Sequence, residues 1–218
     1  MFKLDKNSYG TLAIVFVVAA IFIYAVFRLV DIVWLKWFLI CFAWLFCIWQ
    51  LYFFRIPKRN HVGSDTIVTS AADGKVVIVD EFFEDEYLKR PCKRVCVYMD
   101  FFDVHANFWP TDGEVTYYCY HPGKHLLAFA PKASEENEHS CVGLRLSGGR
   151  EILFKQLAGG FARRIVCYAK EGLHVRGGAQ CGIIKFGSRI DLFVPLEADV
   201  KVKVGDSVRA CETVLASL

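Results

Sequence analysis

Two kinds of hydrophobic pattern divide the chain. Residues 11–27, TLAIVFVVAAIFIYAVF, carry no charge, and residues 37–54 are nearly as apolar, with Gln50 as their only strongly polar member. Each run approaches the roughly 17 to 25 residues a helix needs to cross a bilayer. The link between them holds Arg28, Asp31 and Lys36 and is too short for a folded domain. The pattern predicts an N-terminal transmembrane helical hairpin over residues 1–54. A secretory signal would have a shorter apolar core and a small-residue cleavage site before a soluble chain, whereas here a second apolar run follows. One tilted span plus an interfacial helix is the alternative arrangement. Residues 55–65 read as a polar linker in which Pro57 and Gly63 stop the helix.

From residue 66 the period changes. Short apolar bursts recur at 66–83, 94–98, 114–120, 142–146, 151–157, 164–168 and 200–204, separated by Gly, Pro and Asp turns. No long helical period appears, so residues 66–218 are expected to form a mainly β domain, a compact antiparallel sandwich or barrel. The stretch 182–195, GIIKFGSRIDLFVP, reads as two strand pieces meeting at Gly187 and Ser188. ADGKVVIV and ADVKVKVGDSVRACETVLA resemble halves of biotinyl and lipoyl carrier domains, which gives the expected β domain a lipoyl-like, barrel-sandwich character. A membrane-tethered carrier or adaptor is therefore a rival function. It lacks the lysine such a carrier presents in an exposed turn, and no heptad run supplies the coiled coil of the adaptors.

Composition narrows the choice. A formal net charge of +3 over 218 residues makes no case for nucleic-acid binding. Lys3, Lys6, Arg55, Lys58 and Arg59 outweigh Arg28 and Lys36, so both ends of the hairpin and the β domain are expected on the cytoplasmic side of the inner membrane. Nine cysteines without a CxxC pair fit unpaired thiols in a reducing compartment. No metal centre is expected. Cys92 and Cys96 fall in a strand pattern, and Pro122 and Gly123 forbid the helix that would bring His121 and His125 onto one face.

The chemistry that remains lies in the backbone. A Gly-Ser pair is ordinarily a turn, yet Gly187 without a Cβ exposes its carbonyl carbon to the neighbouring Ser188 hydroxyl. If a base takes the Ser188 proton, Oγ can attack that carbonyl and convert the peptide into an ester. β-Elimination would break the ester, and hydrolysis of the dehydroalanine would leave a pyruvoyl group. Asp73 precedes Gly74 and is locally a turn residue; His105, in FFDVHANFWP, is locally a hydrogen-bonded core histidine. An alternating strand would point one of Arg163 and Arg164 toward a pocket, where it can hold a phosphate or carboxylate. Lys155 and Arg189 are further cationic candidates.

Four stretches in order, SAADGKV, FFDVHANFWPTDGEV, AGGFARRIVCYAKEG and FGSRIDLFVP, resemble the phosphatidylserine decarboxylases, and most nearly their short, archaetidylserine decarboxylase-like branch. The resemblance runs from about residue 56 to the C-terminus. It implies self-cleavage between Gly187 and Ser188, with Ser188 as nucleophile, His105 as base and Asp73 orienting His105. It implies a covalent pyruvoyl cofactor made from Ser188, on which phosphatidylserine is decarboxylated through a Schiff base to phosphatidylethanolamine and CO2. Arg163, Arg164 and Arg189 become candidate head-group ligands, and the acidic stretch before His139 lies near the site entrance. Long-branch members carry another histidine where this chain has Phe102. The expected partners are the phospholipid in its membrane, the two self-cleavage chains held together, and further copies of the chain. A hydrolase using an uncleaved Ser188 with His105 and Asp73 is the remaining rival.

Overall fold

The computed structural model describes residues 3–64, 66–127, 136–160, 162, 164–185 and 187–218. It divides into two units, Met1–Pro57 and Lys58–Leu218.

In the first unit, strand β1 (Lys3–Leu4) leads to helix α1 (Tyr9–Leu29), then α2 (Val33–Phe53) and β2 (Arg55–Ile56), which pairs antiparallel with β1. Both helices are long and apolar enough to cross a membrane. At 21 residues each they are about 30 Å long, the thickness of a bilayer's hydrocarbon core. Leu12, Val26, Ile40, Ala43 and Cys47 are buried, while Ile14, Val18, Phe38, Phe42 and Leu45 are exposed and apolar. Such a surface is stable against lipid and costly against water. Two details differ from the sequence expectation. The link shrinks to Val30, Asp31 and Ile32, because α1 takes in Arg28 and α2 takes in Lys36; Lys36 covers its apolar neighbourhood with a cation–π contact to Phe27 at 5.1 Å. Arg55 and Ile56, placed at the start of the linker by the sequence reading, belong to the first unit through the β1–β2 pairing.

The second unit is mainly β, as expected. In chain order its strands are β3 (Ile67–Thr69), β4 (Gly74–Glu84), β5 (Arg90–Met99), β6 (Ala106–Phe108), β7 (Gly113–His121), β8 (His139–Arg145), β9 (Glu151–Ala158), β10 (Arg164–Cys167), β11 (His174–Val175), β12 (Gln180–Lys185), β13 (Ser188–Pro195), β14 (Asp199–Val200), β15 (Ser207–Val208) and β16 (Val214–Ser217). One curled sheet has the order β11-β7-β8-β9-β13-β5-β4-β15; two small sheets, β10-β12-β6 and β14-β16-β3, accompany it. The burst expected at 200–204 is strand only at its first residue, since Lys203 and Asp206 close a turn.

Alternation gives the large sheet two different faces. Val142, Phe154, Ile190, Leu192 and Val97 enter the main core together with Ile184, Leu215 and Ala216 from the small sheets. On the other face Cys92, Cys141, Leu153 and Phe193 pack with Leu88 from the β4–β5 turn. β13 lies inside the sheet, with Ser188 opposite Met99 of β5 and Ala158 of β9. β12 belongs to a small sheet and β13 to the large one, so the chain changes sheets at Gly187. Its φ of 63° is the left-handed conformation that glycine adopts without the Cβ penalty.

Candidate active site

The groups around the Gly187–Ser188 peptide are held by both backbone and side-chain partners. The Gly187 carbonyl oxygen accepts from the Gly159 N–H at 2.9 Å. Gly159 immediately follows β9, whose Ala158 is in register with Ser188, so strand pairing itself brings this donor to the carbonyl. On the other side the Gly187 N–H donates to His105 Nε2 at 3.3 Å. His105 Nδ1 lies 3.1 Å from the Asp103 carbonyl oxygen. A carbonyl can only accept, so Nδ1 carries the proton and Nε2 the lone pair; the Gly187 contact requires that same tautomer. A basic nitrogen is thus held beside the Gly-Ser peptide in a fully buried setting.

The Ser188 hydroxyl is also fully buried and donates to Met99 Sδ at 3.7 Å. Thioether sulfur is a weak acceptor, so the hydroxyl is lightly held. Beyond Met99 a buried polar chain follows: Asn107 Nδ2 donates to the same sulfur at 3.6 Å, Gln156 Nε2 to Asn107 Oδ1 at 2.8 Å, and Ser140 Oγ to Gln156 Oε1 at 2.9 Å. These groups lend polarity to an otherwise apolar core next to Ser188.

The residues singled out by sequence do not all meet here. His105, Gly187 and Ser188 do. Asp73 does not join His105 by a hydrogen bond: Oδ2 accepts from Arg59 at 2.6 Å and Oδ1 from the Ala210 N–H at 2.8 Å. The Asp103 carbonyl fixes the tautomer in its place. Arg189, expected as a candidate head-group ligand, is placed away from Ser188. Being next to Ser188 on a strand, it turns to the opposite face, fully buried, with Nε and a terminal nitrogen on Asp191 at 2.7 and 2.9 Å. Burial and the Asp191 charge push the neighbouring Cys96 thiol up. Arg164 is exposed at the start of β10; Arg163 lies outside the described residues. Phe102 is 71% exposed on the turn before His105. Asn137, from the acidic stretch, bonds Leu126 and the Ala158 carbonyl, bracing the strand end that leads to Gly159.

Gly159, Asp103, Asn107 and Gln156 were missed by sequence reasoning. Three of them left a signal: Gly159 is the first glycine of AGGFARR, where the arginines drew attention instead, and Asp103 and Asn107 flank His105 in FFDVHANFWP; Gln156 left none.

A β domain that holds Gly187 with its N–H on an imidazole nitrogen and its carbonyl on a backbone N–H, next to a buried serine, is equipped to act on its own backbone. The chain belongs to the phosphatidylserine decarboxylase family, whose model matches residues 46–216. It is 43% identical over 171 residues to a phosphatidylserine decarboxylase proenzyme of Amoebophilus asiaticus, covering 78% of this chain and 76% of that protein. The proenzyme of Syntrophus aciditrophicus is 43% identical over 175 residues, covering 80% and 81%. That of Salinibacter ruber is 44% identical over 170 residues, covering 77% and 75%.

Proposed function

We propose that the chain is a membrane-anchored phosphatidylserine decarboxylase that cuts itself between Gly187 and Ser188 and works through the pyruvoyl group so formed. The observation that carries this reading is the hydrogen bond from the Gly159 N–H to the Gly187 carbonyl oxygen, opposite the His105 lone pair. In self-cleavage His105 Nε2 takes the Ser188 proton, and Oγ attacks the Gly187 carbon. Negative charge develops on the oxygen that Gly159 already faces, where a backbone donor in a water-free site contributes most. The imidazolium then returns the proton to the Ser188 nitrogen as the C–N bond breaks, leaving an ester. Loss of the Ser188 α-proton expels the Gly187 carboxylate, and water converts the residual enamine to a ketone and ammonia. The new C-terminus is Gly187.

The residues fit this group. β13 begins at Ser188 and is paired on both sides, with β5 and β9, while β15 pairs with β4. Residues 188–218 therefore stay bound after the cut, and the ketone stays beside His105. When present, that ketone supplies an electron sink to a substrate bound through its amine. The buried Asn107, Gln156 and Ser140 chain offers polar contacts to a serine head group, and Arg164 is the described member of the arginine pair that remains available for a phosphate. The hairpin α1–α2 would tether the domain, on the cytoplasmic side by its flanking charges, to the membrane that holds the substrate. Family membership removes the support for the carrier reading.

The test is decarboxylation of phosphatidylserine in mixed micelles by the purified full chain, before and after borohydride. We expect CO2 and the ethanolamine lipid, with activity lost once the carbonyl is reduced. Full activity after borohydride would overturn the pyruvoyl part; no turnover by a cut, folded chain would overturn the substrate.

A further inference from the structure

The outer face of the large sheet carries a second cluster, unconnected with the Ser188 chemistry. His121 of β7 and His139 of β8 are directly opposed, with their rings stacked 4.6 Å apart at 26°. Cys141, two residues along β8, shares their face, and Lys155 of β9 is in register with it. The turn after β4 delivers Glu86. Its Oε1 lies 2.7 Å from His121 Nε2 and accepts from the Tyr117 hydroxyl at 2.9 Å; Oε2 accepts from Cys141 Sγ at 3.0 Å and Lys155 Nζ at 3.2 Å. One ligand atom from each of Glu86, His121, His139 and Cys141 lies within 4.8 Å of the other three.

His139 carries the independent observation. Its Nδ1 lies 2.7 Å from the Asn137 carbonyl oxygen, so Nδ1 bears the proton and Nε2 the lone pair. His139 as a whole is only 8% exposed, and among the described residues Nε2 makes no hydrogen bond; it is not an enclosed orphan but a lone pair open to an incoming ion. A second nitrogen donating to a backbone carbonyl is the usual orientation of a metal-binding histidine.

We propose that Glu86, His121, His139 and Cys141 form a Zn2+ site. Two imidazoles, a carboxylate and a thiolate are a donor set for zinc, and four protein ligands make a closed, structural site rather than one with an open reactive position. Tetrahedral zinc holds such atoms about 3.3 to 3.7 Å apart, so the cluster needs to close by roughly 1 Å at its widest. Charge balances as well. Lys155 is matched by Glu84 at 3.6 Å, whose carboxylate also accepts the N–H groups of Glu86, Tyr87 and Leu88 and so fixes the turn presenting Glu86. The Glu86 carboxylate and the Cys141 thiolate then offset the ion, the thiol proton leaving to solvent. Zinc would staple the β4–β5 turn to the β7–β8 hairpin.

The test uses the full, tag-free chain in detergent: zinc content after desalting, competition against a chromophoric chelator, and Co2+ substitution. The expected result is one zinc per folded wild-type chain and a thiolate-to-cobalt absorption band. Cys141→Ser should lose the band, and Cys141→Ser and His139→Gln should each bind zinc at least about tenfold more weakly. Cys41→Ser, on the exposed side of α2, should bind as wild type does. Circular dichroism establishes that each variant is folded. Less than stoichiometric zinc on folded wild type, a cobalt spectrum without the thiolate band, or unchanged affinity in both variants overturns the site; if the variants unfold, the wild-type zinc and cobalt results decide alone.

Discussion

The two faces of the sheet around β9 make two sites by opposite means. On the core face, the Gly187–Ser188 centre is built from main-chain groups, namely the Gly159 N–H, the Gly187 N–H and C=O and the Asp103 carbonyl, with the His105 imidazole among them. On the outer face, Glu86, His121, His139 and Cys141 form a cluster entirely of side chains. Main-chain chemistry demands a particular local conformation, such as the positive φ of Gly187, and is written into short contiguous motifs. Side-chain chemistry demands only that distant strands come into register, and leaves no contiguous trace.

The comparison can be broken from the first side most severely. His105→Ala should slow self-cleavage by about 10² to 10⁴, the range for loss of a general base, while His139→Ala on the other face should be cut at close to the wild-type rate; gel electrophoresis of freshly made protein follows both. Normal cutting of the first variant removes His105 as base. Next, Gly159→Pro deletes the N–H on the Gly187 carbonyl and should cost about 10² in cleavage rate, the loss associated with one oxyanion donor. Gly159→Ala retains the N–H and should be cut faster than the proline variant. Equal rates would mean that the Gly159 contact is structural only.

Smaller effects test the parts outside both sites. Arg59 and Asp73 form a buried pair, their side chains 5% and 12% exposed. Arg59→Gln and Asp73→Asn should each lower stability by about 1 to 3 kcal/mol and together by less than the sum, read by chemical denaturation. Strict additivity would show that the pair is not coupled. Phe102→Ser, on the exposed turn, should change stability by no more than about 0.5 kcal/mol.

Much of the plan was legible in the chain because the two hydrophobic periods are so distinct. The charge-free run around Ala19 and Ala20 leaves no choice but a long apolar helix, and the alternation of Ile190, Leu192 and Val194 leaves none but a strand. Gly187 and Ser188 stood out since a glycine interrupting a strand pattern marks a bend, and Gly187 does take the left-handed conformation that glycine adopts most easily. For Asp73 the motif gives order along the chain but not which group its carboxylate meets; Arg59, fourteen residues earlier, takes it. Adjacency to Ser188 made Arg189 a candidate, whereas in a strand the neighbour of a core-facing residue points away, here onto Asp191. Of the two histidines four apart, His125 pairs with Glu138 and His121 with Glu86. The cross-strand neighbour of His121, His139, is set by the β7–β8 register, which no spacing rule supplies.

The most direct test is the intact mass of the purified wild-type chain beside Ser188→Ala. Self-cleavage predicts two fragments from the wild type, 1–187 and a 188–218 peptide whose first residue is a pyruvoyl group, and a single full-length mass from the variant. A catalytically active wild-type preparation containing only the unbroken 218-residue chain would contradict it.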